Sequence, residues 1–367
     1  MIAIPKHPVR VLVIDDSSMF RRFLIQALRV DPMIEVIGEA DGAESARAIL
    51  RDVTPDVITL DLEMPGEDGL QFLRSTIAQQ KIPTIVISSK TQRGTNLSIK
   101  ALEAGALDVF SKPRGMMPGQ AAHEVLADVG ARLRGLARAR VAFFSNQVGL
   151  HAKAWPERHS KDWIIAIGAS TGGVQALSTI LHMMPANCPP IIIVQHMPEG
   201  FTDAFAKRLN HTCPIEVREA RPNDRLQPGL ALIAPGGDRH MVLQRTEWQG
   251  YEVQLVPGPP VCFSRPAIDE LFRSVATIAA PRVSAAVLTG MGSDGARGLL
   301  ALRQAGAQTF CQDQASSVIY GMPAQAWELG AAMEQIPLDG MAERLLASVG
   351  TSSAKTPLAG AKTHQKV

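Results

Sequence analysis

Five short apolar runs, Val9–Ile14, Ile34–Ile37, Val57–Leu60, Thr84–Ile87 and Asp108–Phe110, alternate with stretches whose apolar residues recur every three or four positions. Those stretches are Met19–Val30, Gly42–Asp52, Gly69–Gln80 and Asn96–Gly105. Runs without polar alternation fit strands buried on both faces, and strands separated by helical segments build a parallel sheet covered by helices. The first third of the chain is therefore expected to be an open α/β sheet.

After Pro113 this rhythm stops. Ala121 to Ala142 is rich in Ala, Arg and Leu at helical spacing, and Phe143 to Asp162 has no clear period. Strand signals resume at Trp163–Ile167, Pro190–Val194, Leu230–Ile233 and Ala285–Leu288, and Met241–Leu243 with Tyr251–Leu255 reads as an inserted β-hairpin. The spacing predicts a first domain over 9–125, a linker over 126–160, a doubly wound α/β domain with the hairpin over 161–350, and a disordered tail over 351–367. A chain of 367 residues has room for two such domains.

Composition narrows the function. Thirty-seven Lys and Arg against 35 Asp and Glu leave a net charge of +2, which argues against a nucleic-acid partner for the chain as a whole. The four cysteines, at 188, 213, 262 and 311, show no CxxC or Cys/His ligand spacing, so a reduced, cytoplasmic protein without structural zinc is expected. The N-terminal residues lack the apolar core of a signal peptide, and no window approaches the ~18 apolar residues of a spanning helix. No direct membrane insertion is expected.

Asp15 and Asp16 directly follow the first strand, Asp61 the third, Ser88 the fourth and Lys112 the fifth. In a doubly wound sheet, ligands collect at the carboxyl ends of strands near the switch in strand order. Three carboxylates there repel one another and call for a cation, and hard oxygen ligands suit Mg²⁺. A hydroxyl and an ammonium at the same edge suit a phosphoryl group carried on a carboxylate. Residues 9 to 113 resemble a response-regulator receiver domain, a flavodoxin-like five-stranded parallel sheet, through Asp15-Asp16, Leu60-Asp-Leu-Glu-Met-Pro-Gly-Glu-Asp-Gly69, Ser88 and Lys112-Pro113. The resemblance implies that Asp61 accepts a phosphoryl group from a histidine kinase. It further implies that Asp15, Asp16, Asp61 and the backbone carbonyl of Glu63 hold Mg²⁺, while Ser88 and Lys112 complete the pocket. Val109 departs from the aromatic residue common three places before the lysine, which questions the usual aromatic switch.

Ile164 to Leu177 reads as a buried strand, a small-residue turn and a helix. A dinucleotide fingerprint would need glycine where Ser170 stands, and a phosphate-binding P-loop would need lysine where Val174 stands. Gly168-Ala-Ser-Thr-Gly172 instead satisfies G-x-S-x-G, whose glycines permit a sharp turn that exposes a serine hydroxyl beside helix N-terminal amides. A serine nucleophile needs a base and a carboxylate that orients it. His196, after the strand at Ile191–Val194, and Asp294, after Val287-Leu-Thr-Gly-Met-Gly-Ser293, are both at strand ends. His240 with Asp238 beside it is the rival base, whereas His182 and His211 fall on or beside helices. The chain order Ser, His, Asp differs from that of α/β-hydrolases.

Gly168-Ala-Ser-Thr-Gly-Gly173, Gln195-His-Met-Pro198 and Leu288-Thr-Gly-Met-Gly-Ser-Asp-Gly295, behind a receiver, resemble the chemotaxis protein-glutamate methylesterase and glutamine deamidase family, CheB. The resemblance implies Ser170 as nucleophile, His196 as acid and base, Asp294 as orienting carboxylate, and the backbone amides of Thr171 and Met291 as oxyanion donors. Ser293, often Asn in the family, lies beside the triad rather than in it. The reaction implied is hydrolysis of glutamate γ-methyl esters on methyl-accepting chemoreceptors, with glutamine deamidation as an alternative, needing no cofactor for the esterase step. Phosphorylation of Asp61 is expected to release a receiver that covers the site, and the helix at 121–142 is either a spacer or a docking surface. A DNA-binding output would instead predict a basic helix-turn-helix module, and a non-catalytic scaffold would have lost a triad member.

Overall fold

The structure is a computed structural model that describes residues 7–89, 91–112, 129–137, 163–247 and 250–350. The expected tail at 351–367 and most of the expected linker lie outside these residues.

The first sheet has five parallel strands, β1 (Val9–Ile14), β2 (Ile34–Ala40), β3 (Val57–Leu60), β4 (Thr84–Ser88) and β5 (Asp108–Ser111), in the order β2-β1-β3-β4-β5. Every residue of β3 and β4 is buried, as the unbroken apolar runs require. Helices α1 (Ser18–Leu28) and α2 (Ala43–Asp52) follow β1 and β2, and α5 (Gln92–Glu103) follows β4. The helix expected over 69–80 is present but broken, with α3 (Gly69–Phe72) and α4 (Ala78–Gln80) flanking a π-helical segment at Leu73–Ile77.

Residues 129–136 form a helix, α6, inside the span expected to be linker. Val129, Leu133 and Leu136 are fully buried in one apolar cluster with Val9, Ile25 and Leu107 of the first domain and Val318 of the second. Full burial of such side chains is worth about 1.5–3 kcal/mol each, so this helix is a wedge between the domains rather than a free spacer.

The second domain carries a seven-stranded sheet, ordered β15-β14-β13-β6-β7-β10-β8, in which all paired strands run parallel. Its strands are β6 (Ile164–Ala169), β7 (Ile191–Gln195), β8 (Glu216–Glu219), β10 (Leu230–Ile233), β13 (Val283–Val287), β14 (Gln308–Gln312) and β15 (Glu334–Ile336). The expected hairpin is there, as β11 (Arg239–Arg245) against β12 (Tyr251–Pro257), but a third strand, β9 (Asp224–Arg225), joins it. From β6 the chain first builds outward through β7, then returns to lay β13 on the other side, so the switch in strand order falls between β6 and β13. Such a switch opens a crevice at the carboxyl ends of the strands. Helices α7 (Gly173–His182), α8 (Phe201–Thr212), α9 (Ile268–Ile278), α10 (Ala296–Gln304), α11 (Met322–Glu328) and α12 (Leu338–Ala347) cover the sheet. Gly168 is demanded by this packing, because a Cβ there would stand 2.3 Å from the Ile268 side chain of α9. No helix among the described residues is long and apolar enough to cross a membrane.

Candidate functional site

At the carboxyl edge of the first sheet, Asp15, Asp16 and Asp61 bring carboxylate oxygens within 4.8 Å of one another. Lys112, one residue past β5, reaches Asp61 Oδ2 at 2.6 Å and Asp15 Oδ2 at 2.8 Å, with its ammonium 4.9 Å from the centre of the Phe20 ring. Burial pushes the Asp15 carboxyl up to about 6 despite Lys112, with the Asp61 charge adding to the rise. Asp61 is raised by burial as well, while Lys112 is held above its ordinary value because the two carboxylates outweigh its own desolvation. One ammonium thus leaves the cluster short of positive charge. The donor set is all hard oxygen, and a divalent cation fits it. Glu63 stands two residues beyond Asp61 and donates its amide to Asp61 Oδ1 at 3.1 Å. Ser88 is the last residue of β4 rather than the first after it; among the described residues its buried hydroxyl reaches only the Ser89 carbonyl, at 3.5 Å. Val109 is buried in the core, with no ring to swing.

At the switch point of the second sheet, the register pairs Ala169 with Gln195, so Ser170 and His196 leave adjacent strands side by side. The His196 amide donates to the Ala169 carbonyl at 3.0 Å, and the Ser170 amide donates to the Thr289 carbonyl at 3.0 Å, fixing the turn to both neighbours. Gly172 sits at φ +79 with no room for a Cβ, which would meet Val318 at 2.6 Å, so the sharp turn requires glycine there.

Asp294 Oδ2 lies 2.9 Å from His196 Nε2 and accepts the Ile268 amide at 2.8 Å, while Oδ1 accepts the Asp269 amide at 2.9 Å. Both amides open α9, so the carboxylate rests on the positive end of a helix. Burial alone would push it up, but the His196 hydrogen bond and charge and these amides outweigh burial and hold Asp294 below its ordinary range. An ionised Asp294 fixes the imidazole proton on Nε2 and leaves the lone pair on Nδ1. That nitrogen faces Ser264 Oγ at 3.3 Å. Among the described residues, Ser170 Oγ makes no hydrogen bond to His196, although both side chains stand at the same strand ends. Neither the Thr171 amide nor the Met291 amide is taken up by another described residue.

His240, the rival base, belongs elsewhere. It is buried, accepts the Ala267 amide on Nδ1 at 3.1 Å, and sits 3.0 Å from the Pro259 carbonyl on Nε2, so both ring nitrogens serve the backbone. His240→Ala is expected to cost about 2–4 kcal/mol of stability in urea unfolding, because it strands the buried Ala267 amide and empties the space of a buried ring. Activity per folded molecule should survive; a fall as deep as that for Ser170→Ala would restore His240 as the base.

Sequence reasoning missed several residues that frame this site. Gln195, within the quoted Gln-His-Met-Pro motif, is buried and donates to the Ser170 carbonyl at 2.9 Å and the His196 carbonyl at 3.2 Å. Thr289 Oγ1 donates to the Thr171 carbonyl at 3.0 Å. Asp108, read only as the start of a strand, accepts the Thr171 hydroxyl at 2.6 Å and an Arg132 guanidinium from α6 at 2.9 Å. A charged residue opening a buried apolar strand was the available signal. Beside it the Gly172 amide donates to the Leu107 carbonyl at 3.0 Å, and Gln175 Nε2 donates to the Leu102 and Ala106 carbonyls, each at 2.7 Å. The first domain is therefore bonded to the turn that carries Ser170.

Known proteins fit this layout. The model for the response regulator receiver domain matches residues 11–119, and the model for the CheB methylesterase matches residues 165–345. Over 350 residues the chain is 50% identical to the protein-glutamate methylesterase/protein-glutamine glutaminase of group 2 operon of Cereibacter sphaeroides, covering 95% of this chain and 94% of that one. A protein of Pseudomonas aeruginosa named protein-glutamate methylesterase/protein-glutamine glutaminase 2 is 45% identical over 344 residues, covering 92% and 96%. The crystal structure of the Thermotoga maritima CheB methylesterase catalytic domain superposes with a TM-score of 0.50 at 35% identity, covering 51% of this chain and 98% of that one. Fold and matches together define a response regulator whose output domain is an esterase. The chain belongs to the CheB family of protein-glutamate methylesterases/protein-glutamine glutaminases.

Proposed function

We propose that this chain hydrolyses glutamate γ-methyl esters on methyl-accepting chemoreceptors, releasing methanol, and deamidates receptor glutamines, under control of phosphorylation at Asp61. The His196–Asp294 pair at the end of β7, beside Ser170 at the end of β6, is the observation that carries this reading. Ser170 Oγ attacks the ester carbonyl carbon as His196 Nδ1 takes its proton. The charge that forms on the carbonyl oxygen is held by the Thr171 and Met291 amides, whose lack of other described partners supports that role. His196 then gives the proton to the departing methanol oxygen, and water, deprotonated by the same nitrogen, cleaves the acyl-serine to free carboxylate and serine. With glutamine the leaving group is ammonia. The Ser170 and His196 side chains must close together for this, as catalytic hydrogen bonds often do only with substrate present.

A histidine kinase supplies the phosphoryl group, which moves from its phosphohistidine nitrogen to an Asp61 oxygen. Mg²⁺, held by Asp15, Asp16, Asp61 and the Glu63 carbonyl, would neutralise charge at that acceptor. Lys112, already on Asp61, and Ser88 then meet the phosphoryl oxygens, a role that the Lys112–Asp61 contact supports. The bonds from Leu107 and Asp108 to the Ser170 turn support a resting state in which the receiver covers the site. Phosphorylation draws Lys112 toward the new group and moves β5, which ends one residue before Lys112 and begins at Asp108. We place the reaction in the cytoplasm, in keeping with four unpaired cysteines.

The test is methanol release from methylated receptor by wild type and Asp61→Asn, each with and without acetyl phosphate. Stimulation of wild type by about tenfold or more, absent in the variant, is expected, on the scale of a typical allosteric coupling. No stimulation would remove the switch; no methanol under any condition would remove the esterase.

A further inference from the structure

Val261 to Ser264 form a tight turn closed by two backbone hydrogen bonds, from the Val261 amide to the Ser264 carbonyl at 3.1 Å and back at 2.9 Å. Its two middle residues, Cys262 at φ +49 and Phe263 at φ +63, are both left-handed without being glycine. Each such residue costs of order 1 kcal/mol or more, and persists only where surrounding structure enforces it. The turn is tied to the candidate active site. Ser264 Oγ lies 3.3 Å from His196 Nδ1, and Cys262 Sγ lies 3.8 Å from the hydroxyl of Ser293, next to Asp294. Arg265 anchors the exit of the turn on the Gly237 carbonyl at 3.3 Å and the Gly258 carbonyl at 2.9 Å.

The strained turn holds Phe263 wholly in solvent, at 104% of the reference exposure. The other large apolar side chains that stand out among the described residues, Met19, Val30, Trp327, Leu329 and Met333, range from 38% to 73%. A free-standing phenyl ring exposes apolar area that water disfavours, and a rigid aromatic presented at low entropy cost is the usual form of an interface anchor. Phe263 also stays exposed while the receiver is bonded to the Ser170 turn, so it can meet a partner before the site opens.

We propose that Phe263 is a specificity-determining residue for the esterase reaction, seating in an apolar patch of the receptor next to the methylated glutamate and so delivering the ester to Ser170 and His196. The proposal rests on the receptor-esterase reading above. It explains how a site whose chemistry would accept any small methyl ester selects a protein: the anchor lies one residue from the group that faces the base.

The test compares wild type with Phe263→Asn and Phe263→Leu, since asparagine tolerates a positive φ and separates loss of the ring from a change in the turn. Kinetics of the phosphorylated full chain are measured on methylated receptor and on a small activated ester, p-nitrophenyl acetate. The ratio of the two kcat/KM values is expected to fall about tenfold or more in Phe263→Asn, mainly through KM for receptor, and less in Phe263→Leu. A ratio within twofold of wild type in Phe263→Asn would overturn the proposal. Equal losses on both substrates would also overturn it, since the turn would then serve only to support His196. If wild type hydrolyses neither substrate, the esterase reading itself falls and takes this proposal with it.

Discussion

Ser170→Ala is expected to reduce methanol release from methylated receptor by about 10⁴-fold or more, the scale on which removal of a serine nucleophile acts when base and carboxylate work only through it. The variant should fold as wild type does, since the turn is fixed by its amide to Thr289 and by glycine at 172 rather than by the hydroxyl. A matched melting temperature together with lost activity would assign the hydroxyl to chemistry. The reading has a specific rival, because Ser264 Oγ, not Ser170 Oγ, stands at hydrogen-bond distance from His196 Nδ1. Retention of more than about a tenth of wild-type release by Ser170→Ala would defeat the nucleophile assignment and turn attention to Ser264.

Asp108→Ala is expected to raise activity in the absence of a phosphodonor by about tenfold, with little further stimulation when one is added. The substitution removes the acceptor for the Thr171 hydroxyl and one partner of Arg132. A hydrogen bond to a charged group is worth about 1.5–3 kcal/mol, so the loss moves a closed–open equilibrium by roughly 10- to 100-fold. Hydrolysis of p-nitrophenyl acetate reads the open fraction directly. The result has meaning only if Asp61 still takes up phosphate from acetyl phosphate, which checks that the acid cluster is intact. Unchanged resting activity in a phosphorylatable variant would show that Asp108 does not hold the domains closed.

Much of this arrangement was legible in the sequence because parallel sheets leave a simple trace. Buried strands are unbroken apolar runs, and the residue that follows each one stands at the functional edge; Asp15, Asp61, Ser170, His196 and Lys112 could all be placed that way. Strands that depart from the rule were lost. Strand β8, Glu-Val-Arg-Glu, pairs on one side only and can afford charge, while β14, Gln-Thr-Phe-Cys-Gln, is wholly buried but polar at both ends. Gln312 there accepts the Thr289 amide at 2.8 Å and donates to the Ser316 carbonyl at 2.8 Å, a pairing no local pattern could announce. The break in the 69–80 helix is similarly silent, since a π turn needs no glycine or proline.

The candidate site was legible in the groups proposed to react and not in their supports. Ser264 meets His196 across 68 positions, and Asp108 meets Thr171 across 63. Such contacts depend on how two finished units dock, which periodicity does not encode. Helix α6 is the same case at larger scale: its apolar spacing was visible, but the surfaces that bury Val129, Leu133 and Leu136 come from both domains at once.

The hold of the receiver on the catalytic turn is written partly in the main chain. The Leu107 carbonyl that takes the Gly172 amide exists whatever amino acid occupies position 107, and so do the Leu102 and Ala106 carbonyls that take Gln175. Single substitutions at those three receiver positions cannot delete the acceptors, whereas Asp108 can be lost in one step. Among the polar contacts to that turn, single-step escape from the proposed resting state is thus open at Asp108, Thr171 and Gln175. A selection for signal-independent variants should return changes at Asp108, Thr171 and Gln175 far more often than changes at Leu102, Ala106 and Leu107.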